Sequence, residues 1–182
     1  MTENTPTTAG ARDAPIANFS QCHVGIIAHL DALDELPALI EPARRARSVA
    51  ADMLAFFDAV ILEHHGEEER ELFPAVVHSA ASGVERTHVQ TMVERLTTEH
   101  RQIEAWWARI KPQLKRLAKG QDTELDTVAV QQLVKEYHAH AQFEEAEFLP
   151  LSQTILARNA NHMAALGMSL HMRHAKPVRG YI

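Results

Sequence analysis

The chain has 182 residues, of which 46% are apolar, and this length and composition suit one globular domain with a sizeable core. Its 18 Lys and Arg residues against 24 Asp and Glu residues give a formal net charge of −6, which disfavours nucleic acid and anionic membranes as partners. No apolar run approaches the roughly 20 residues of a membrane helix, and a single cysteine, Cys22, permits no internal disulfide, so we expect a protein of the reducing cytoplasm.

Scarce glycine and many Ala, Leu and Glu residues predict an all-α protein. Residues 1–14 (MTENTPTTAGARDA) are polar, so we expect a disordered leader without a secretory signal. A first helix is predicted from about residue 16 to residue 36, ending near Pro37. The residues predicted to face inward recur in steps of three and four if His23 is counted among them. The apolar ones are Ile16, Phe19, Ile26, Leu30 and Leu33, and we call this set the stripe of the first helix.

The next two helices have clearer inward faces. A second helix is predicted to begin after Pro42 and to end between residues 79 and 83. One side of it carries Val49, Met53, Phe57, Val60, His64 and Glu68. The third helix has the most regular pattern, with Pro112 as a possible kink or early end. Its seam is Val93, Leu96, His100, Ile103, Trp107, Ile110, Leu114 and Leu117.

A fourth helix follows the Lys119–Asp122 stop and is predicted to end near Pro150. Its inward face holds Leu133, Tyr137, His140, Glu144 and Phe148. We divide the chain into a leader (1–14), a helical bundle (15–152) and a C-terminal segment (153–182). The C-terminal segment is predicted to form a shorter fifth helix to about residue 172, followed by a basic tail.

Two segments of the first half recur in the second half. CHVGIIAHLDAL (22–33) aligns with EHRQIEAWWARI (99–110), with histidine in the second place of both. HHGEEERELFP (64–74) aligns with HAQFEEAEFLP (140–150). The repeat predicts a bundle with approximate twofold symmetry.

The repeated His-x-x-x-Glu pairs, His64/Glu68 and His140/Glu144, carry the chemistry. Residues four apart lie on one helix face, so each pair can offer an imidazole and a carboxylate to one cation. Burying a carboxylate without a partner is costly, so these inward glutamates call for a compensating cation. Mixed nitrogen and oxygen ligands suit iron, manganese or zinc, and carboxylates that can bridge suit a two-metal site.

Three other residues compete for places in the site. His29 breaks the stripe that His23 continues, and Trp106 takes its place in the second half. His65 could pair with Glu69, but that register is not repeated, so we favour His64 and leave His65 at the border of the site. Glu104 lies one turn beyond His100, as either a ligand or a solvated residue.

These residues resemble the hemerythrin-like, HHE cation-binding family over about residues 19–152. The resemblance rests on the His-x-x-x-Glu pairs followed by Glu-Leu-Phe-Pro (71–74) and Glu-Phe-Leu-Pro (147–150), and on single histidines in the first and third helices. It implies an up-down four-helix bundle, here with a fifth helix added, and a non-haem di-iron centre with bridging glutamates. The implied metal ligands are His23, His64, Glu68, His100, His140 and Glu144.

The chain departs from the oxygen-carrying hemerythrins in two places. Their third helix offers a second histidine four residues on, where this chain has Glu104, and their fourth helix pairs histidine with an aspartate five residues on, where this chain has Glu144 four residues on. Fewer histidines leave open coordination positions or an extra carboxylate. This puts reversible oxygen carriage in doubt and favours reaction with oxygen, peroxide or nitric oxide.

We therefore expect two iron ions, with manganese or zinc as substitutes, and a small diatomic or peroxide ligand. The protein is expected to bind, sense or react with that oxidant as a monomer or homodimer, rather than to act as a dedicated enzyme. The alternative is a store or buffer of iron or another metal without redox chemistry. A ferritin-like oxidase ranks lower because such proteins use Glu-x-x-His pairs, and a bundle whose polar seam only sets helix register ranks lower because it needs no paired ligands.

Overall fold

The computed structural model describes the backbone of residues 14–158 and the side chains of residues 23–158. Every element in that part is helical. The α-helices are α1 (Ala14–Phe56), α2 (Leu62–Glu67), α3 (Phe73–Ser79), α4 (Val84–Ala118), α5 (Thr127–Phe143) and α6 (Leu149–Leu156). Three π-helical turns, Phe57–Ile61, Glu68–Leu72 and Glu144–Phe148, join α1 to α2, α2 to α3 and α5 to α6 without a loop. The described chain therefore forms three long helical stretches, 14–79, 84–118 and 127–156.

The predicted break between the first two helices is wrong, because α1 continues through Pro37 and Pro42. A proline inside a helix removes one backbone hydrogen bond, but helix formers on both sides can carry the helix past it. The Arg44 guanidinium also pairs with Glu41 one turn earlier, at 2.7 Å. Pro37 and Pro42 therefore do not end this helix.

The chain divides into two compact units, Met1–Ala46 and Arg47–Ile182. In the first unit, the side chains described from residue 23 onward are exposed. Those predicted to face inward, Ile26, Leu30 and Leu33, are 49%, 57% and 59% exposed. The burial predicted for this stripe is therefore absent from those of its side chains that the structure describes.

The second unit has a core in two apolar clusters. One cluster surrounds Phe57 and Trp107, whose rings stack with centroids 4.1 Å apart. The other surrounds Phe73 and Phe148, whose rings meet edge to face at 5.2 Å. Along each helical stretch, a short polar segment separates the residues of one cluster from those of the other. A polar layer therefore lies between two apolar layers.

The predicted seam of α4 is confirmed. Leu96, His100, Ile103, Trp107, Ile110 and Leu114 are buried, and Val93 and Leu117 are partly buried. Pro112 does not end the helix, which continues to Ala118. The inward face predicted for the fourth helix is also confirmed, with Leu133, His140, Glu144 and Phe148 buried and Tyr137 half-buried.

Two turns reverse the chain between the long stretches. Gly83 and Gly120 have φ values of 95° and 70°, a region that residues with a Cβ rarely adopt. The Asp126 carboxylate caps α5 by accepting a hydrogen bond from the Ala129 amide at 2.9 Å. Contrary to the prediction, Pro150 does not end the fourth helix, since it occupies the first turn of α6, which continues to Leu156.

Some predicted segments lie outside the described residues. These are residues 1–13 of the leader, most of the fifth helix and the whole basic tail. Residues 149–156, where the C-terminal segment begins, continue the preceding helical stretch. Among the described helices, none combines the length and apolar character needed to cross a bilayer.

Candidate metal centre

Three buried histidines meet in the polar layer, one from each helical stretch of the second unit. His65 lies on α2, His100 on α4 and His140 on α5, and each is at most 1% exposed. The His65 and His100 rings stack with centroids 3.9 Å apart and planes within 4°. One ring nitrogen from each of the three lies within 4.8 Å of the other two. This spacing allows one cation to be bound by all three.

A carboxylate holds the outward nitrogen of each ring. The Nδ1–Oε distances are 3.3 Å from His65 to Glu104, 2.8 Å from His100 to Glu69 and 3.2 Å from His140 to Glu99. An ionised carboxylate can only accept a hydrogen bond, so Nδ1 must be the donor. The lone pair of each neutral imidazole is then on Nε2. Carboxylates orient metal-ligating histidines in this way.

The inward nitrogens lack hydrogen-bond partners. Nε2 of His65, His100 and His140 is buried without one, as are Oε2 of Glu68 and Oε1 of Glu144. His100 Nε2 lies 3.3 Å from Glu68 Oε2, but the geometry is not that of a hydrogen bond. Leaving a buried polar atom unpaired costs about 1–3 kcal/mol. Five such atoms in one layer fit a set of cation ligands.

A second group of candidate ligands adjoins the first. It consists of His64, Glu68 and Glu144, with ligand atoms within 4.8 Å of one another. Glu68 Oε1 lies 3.2 Å from His64 Nε2, and Glu144 Oε2 lies 3.8 Å from His140 Nε2. Glu68 therefore contacts a histidine of its own group, and Glu144 contacts a histidine of the first group. Such carboxylates can bridge two cations.

The two buried glutamates differ in proton affinity. Burial, together with the neighbouring Glu68, raises the pKa of Glu144 to about 9. Burial opposes ionisation of Glu68, but the nearby His100 and Glu144 side chains lower its pKa to about 2. Burial, with the neighbouring His100, lowers the pKa of His65 to about 4. Without a cation, the layer therefore keeps Glu144 protonated and His65 neutral at neutral pH.

Two π-turns begin at the site glutamates. One starts at Glu68 and the other at Glu144, the same place in each repeat. A π-turn is a rare, single-turn distortion that occurs often at functional sites. Phe73 directly follows the first turn, Phe148 is the last residue of the second, and both belong to the second apolar cluster. The turns therefore lie at the boundary between the polar layer and the second apolar cluster.

A cavity of about 500 Å³ opens beside the second group. Its lining combines candidate ligands with Tyr137, two further glutamates and apolar residues; the ligands are His64, Glu68, His140 and Glu144, and the glutamates are Glu67 and Glu145. The pKa of Tyr137 is raised by burial and by the carboxylates of Glu68 and Glu144. The cavity is large enough for a small molecule beside the carboxylates.

Five of the six predicted ligands come together: His64, Glu68, His100, His140 and Glu144. His23 is exposed in the first unit and belongs to neither group of candidate ligands. His29 is also exposed, with Nδ1 2.8 Å from the Gly25 carbonyl oxygen. Glu104, considered as a ligand, instead holds the outward nitrogen of His65.

His65 is the candidate ligand that sequence reasoning left at the border of the site. The repeat pointed to His64, because Ala141 takes the place of His65 in the second half. A signal was nonetheless present, since Phe57, Ile61, His65 and Glu68 follow steps of four and three. All four are buried, whereas the predicted stripe through Val60 and His64 is only partly so.

If His65 is a ligand, His65→Gln weakens metal binding. We expect ferrous iron affinity to fall by about tenfold to a hundredfold or more, since loss of an outer-shell partner alone costs that much. Anaerobic competition with a chelator measures the affinity. His138→Gln, which changes an exposed histidine on α5, is the matched control and leaves affinity unchanged. Equal affinities of His65→Gln and wild type would remove His65 from the site.

The proton on Glu144 predicts a pH dependence. Since its folded pKa lies above the ordinary value of 4.5 for a glutamate, its contribution to stability is complete below that value and is lost as pH rises through about 9. Glu144→Gln mimics the protonated carboxyl. From about pH 7 to about pH 9, we expect the unfolding free energy of the metal-free wild type to fall relative to that of the variant. Urea unfolding measures it, and an unchanged difference between the two proteins contradicts a protonated Glu144.

Comparison with known proteins agrees with this geometry. The chain matches the sequence profile of the hemerythrin HHE cation binding domain over residues 14–152. An uncharacterized protein of Haemophilus influenzae is 27% identical over 158 residues, which cover 83% of this chain and 88% of that protein. No solved structure matches. The chain belongs to the hemerythrin HHE cation-binding family.

Proposed function

We propose that the protein is a non-haem di-iron protein that binds, senses or reacts with a small oxidant such as oxygen, peroxide or nitric oxide. The observation that carries the proposal is the set of three buried, unpartnered Nε2 atoms beside two buried glutamates. Three imidazoles with oriented lone pairs are ligands for a transition metal rather than for calcium or magnesium.

The two groups of candidate ligands support two cations rather than one. The first, His65, His100 and His140, offers three nitrogens and is fully buried. The second, His64, Glu68 and Glu144, offers one nitrogen and two carboxylates and lies beside the cavity. Mixed nitrogen and oxygen sites of this kind suit iron, with manganese or zinc as substitutes.

The second group supports access by a small molecule. The His64 side chain is 38% exposed, whereas Glu68 is 5% exposed. The cavity therefore reaches the carboxylates on the side of His64, and His140 also lines it, whereas His65 and His100 do not. Iron bound there would supply redox chemistry towards oxygen, peroxide or nitric oxide. The chain's own part is to orient the nitrogens and to shield them from water.

His23 stays in the proposal as a sixth ligand. Its support is the family resemblance and the repeat, in which His23 corresponds to His100. An up-down bundle of four helices followed by a fifth belongs to the same proposal. His23→Gln, with the exposed His29→Gln as matched control, tests the ligand through its effect on iron affinity.

Anaerobic loading with ferrous iron, followed by stopped-flow mixing with oxygen, peroxide or nitric oxide, tests the function. We expect new visible absorption with at least one of the three, because bound iron with an open position changes its ligands or oxidation state. Iron that binds but gives no spectral change with any of them would favour the alternative of a store or buffer. A protein that binds no ferrous iron would contradict both.

A further inference from the structure

A ring of side chains outside the candidate ligands joins two of the three buried histidines. Glu69 holds His100 with Oε1, at 2.8 Å, and Glu104 holds His65 with Oε1, at 3.3 Å. The second oxygen of each carboxylate contacts the guanidinium of Arg101. Arg101 Nη1 donates to Glu104 Oε2 at 2.7 Å, and Nη2 donates to Glu69 Oε2. The stacked rings of His65 and His100 close the ring.

The division of atoms in this ring matters. Each carboxylate uses one oxygen for a histidine and the other for Arg101, so neither bond competes with the other. The two carboxylates come from different elements, Glu69 from the π-turn Glu68–Leu72 and Glu104 from α4. A guanidinium is planar and presents its N–H groups in a fixed fork, so it can hold both carboxylates in one geometry. Arg101 therefore fixes the two carboxylates relative to each other.

We propose that Arg101 is a positioning residue of the metal centre, which aims Nε2 of His65 and of His100 through Glu104 and Glu69. The inference rests on the proposed metal binding. Arg101 is 55% exposed, and exposed ion pairs contribute little to stability. Its effect is on the direction of two nitrogen ligands rather than on the fold.

The third histidine is supported separately. His140 is held by Glu99, which pairs with Arg95 at 2.7 Å. The Arg95 guanidinium also lies 3.6 Å from the centre of the Phe143 ring. The contacts that hold His140 involve one carboxylate and do not include Arg101. A change at Arg101 therefore acts on His65 and His100 and leaves His140 in place.

Loss of positioning and loss of positive charge predict opposite effects of Arg101 removal on cation affinity. Arg101→Met deletes a positive charge near a cation site, and through-space electrostatics alone would strengthen cation binding. Loss of positioning weakens it instead, by about tenfold, the lower end of what outer-shell changes cost. The sign of the change therefore separates the two causes.

The test uses cobalt(II), whose visible absorption reports ligand geometry, with the full chain and a competing chelator. We expect Arg101→Met to bind cobalt about tenfold more weakly than the wild type and to alter the absorption bands. Arg101→Lys recovers only part of the affinity, because an ammonium lacks the planar fork. The matched control is Arg70→Met, since Arg70 is 56% exposed and pairs with Glu63 at 2.8 Å. That control keeps wild-type affinity and absorption.

A double-mutant cycle identifies the path of the effect. In a Glu69→Gln/Glu104→Gln background, Arg101→Met should weaken cobalt binding no further, because its two partners are already changed. If Arg101→Met weakens cobalt binding in that background as much as it does in the wild type, the proposal is overturned. Wild-type affinity and absorption in Arg101→Met alone also overturn it. If cobalt and ferrous iron both fail to bind the wild type, the proposed function fails. If the wild type, Arg70→Met and Arg101→Met all bind the metal with the same affinity, only the proposed role of Arg101 fails.

Discussion

The pairing of each outward ring nitrogen with a carboxylate determines the character of the site. Because Glu104, Glu69 and Glu99 accept from Nδ1, a neutral imidazole at each of the three positions keeps its lone pair on Nε2. Those three atoms are buried and lack hydrogen-bond partners. A neutral imidazole held in this way directs that lone pair at a transition metal. The remaining features of the second unit support this arrangement.

The helices and apolar clusters position the polar layer. Each long stretch passes from one apolar cluster to the other, and its histidine lies between the two. The clusters exclude water on both sides, which strengthens electrostatic interactions within the layer. The π-turns at Glu68 and Glu144 mark the same boundary in both repeats. The carboxylates therefore lie beside the cavity, while the three histidines stay buried.

Regular features of the fold were predictable from sequence. The seam of α4 follows strict steps of three and four, and His100 is its one polar member, so periodicity predicted its burial. The same reasoning found His140 and Glu144. It failed at Pro37 and Pro42, since whether a helix continues through a proline depends on its surroundings. The π-turns were not predicted because they depend on packing between helices.

The same limit explains His65 and the outer carboxylates. Neighbouring residues on a helix point about 100° apart, so a periodicity rule selects either His64 or His65. The structure places His65 in one group of candidate ligands and His64 in the other. Three glutamates lie next to inward-facing positions of the sequence, where a solvated side chain is the ordinary prediction: Glu69, Glu99 and Glu104. Only the contact of each one with a histidine shows its role. Their role depends on side-chain contacts between helices, which spacing along one helix cannot reveal.

The most direct test of two cations joined by shared carboxylates is the Mössbauer spectrum of the protein loaded with isotopically enriched iron and then oxidised. The nitrogen-rich and carboxylate-rich groups predict two inequivalent iron signals of equal area. Bridging by Glu68 and Glu144 predicts that the two ions are magnetically coupled. A single, magnetically isolated iron per chain would contradict the account.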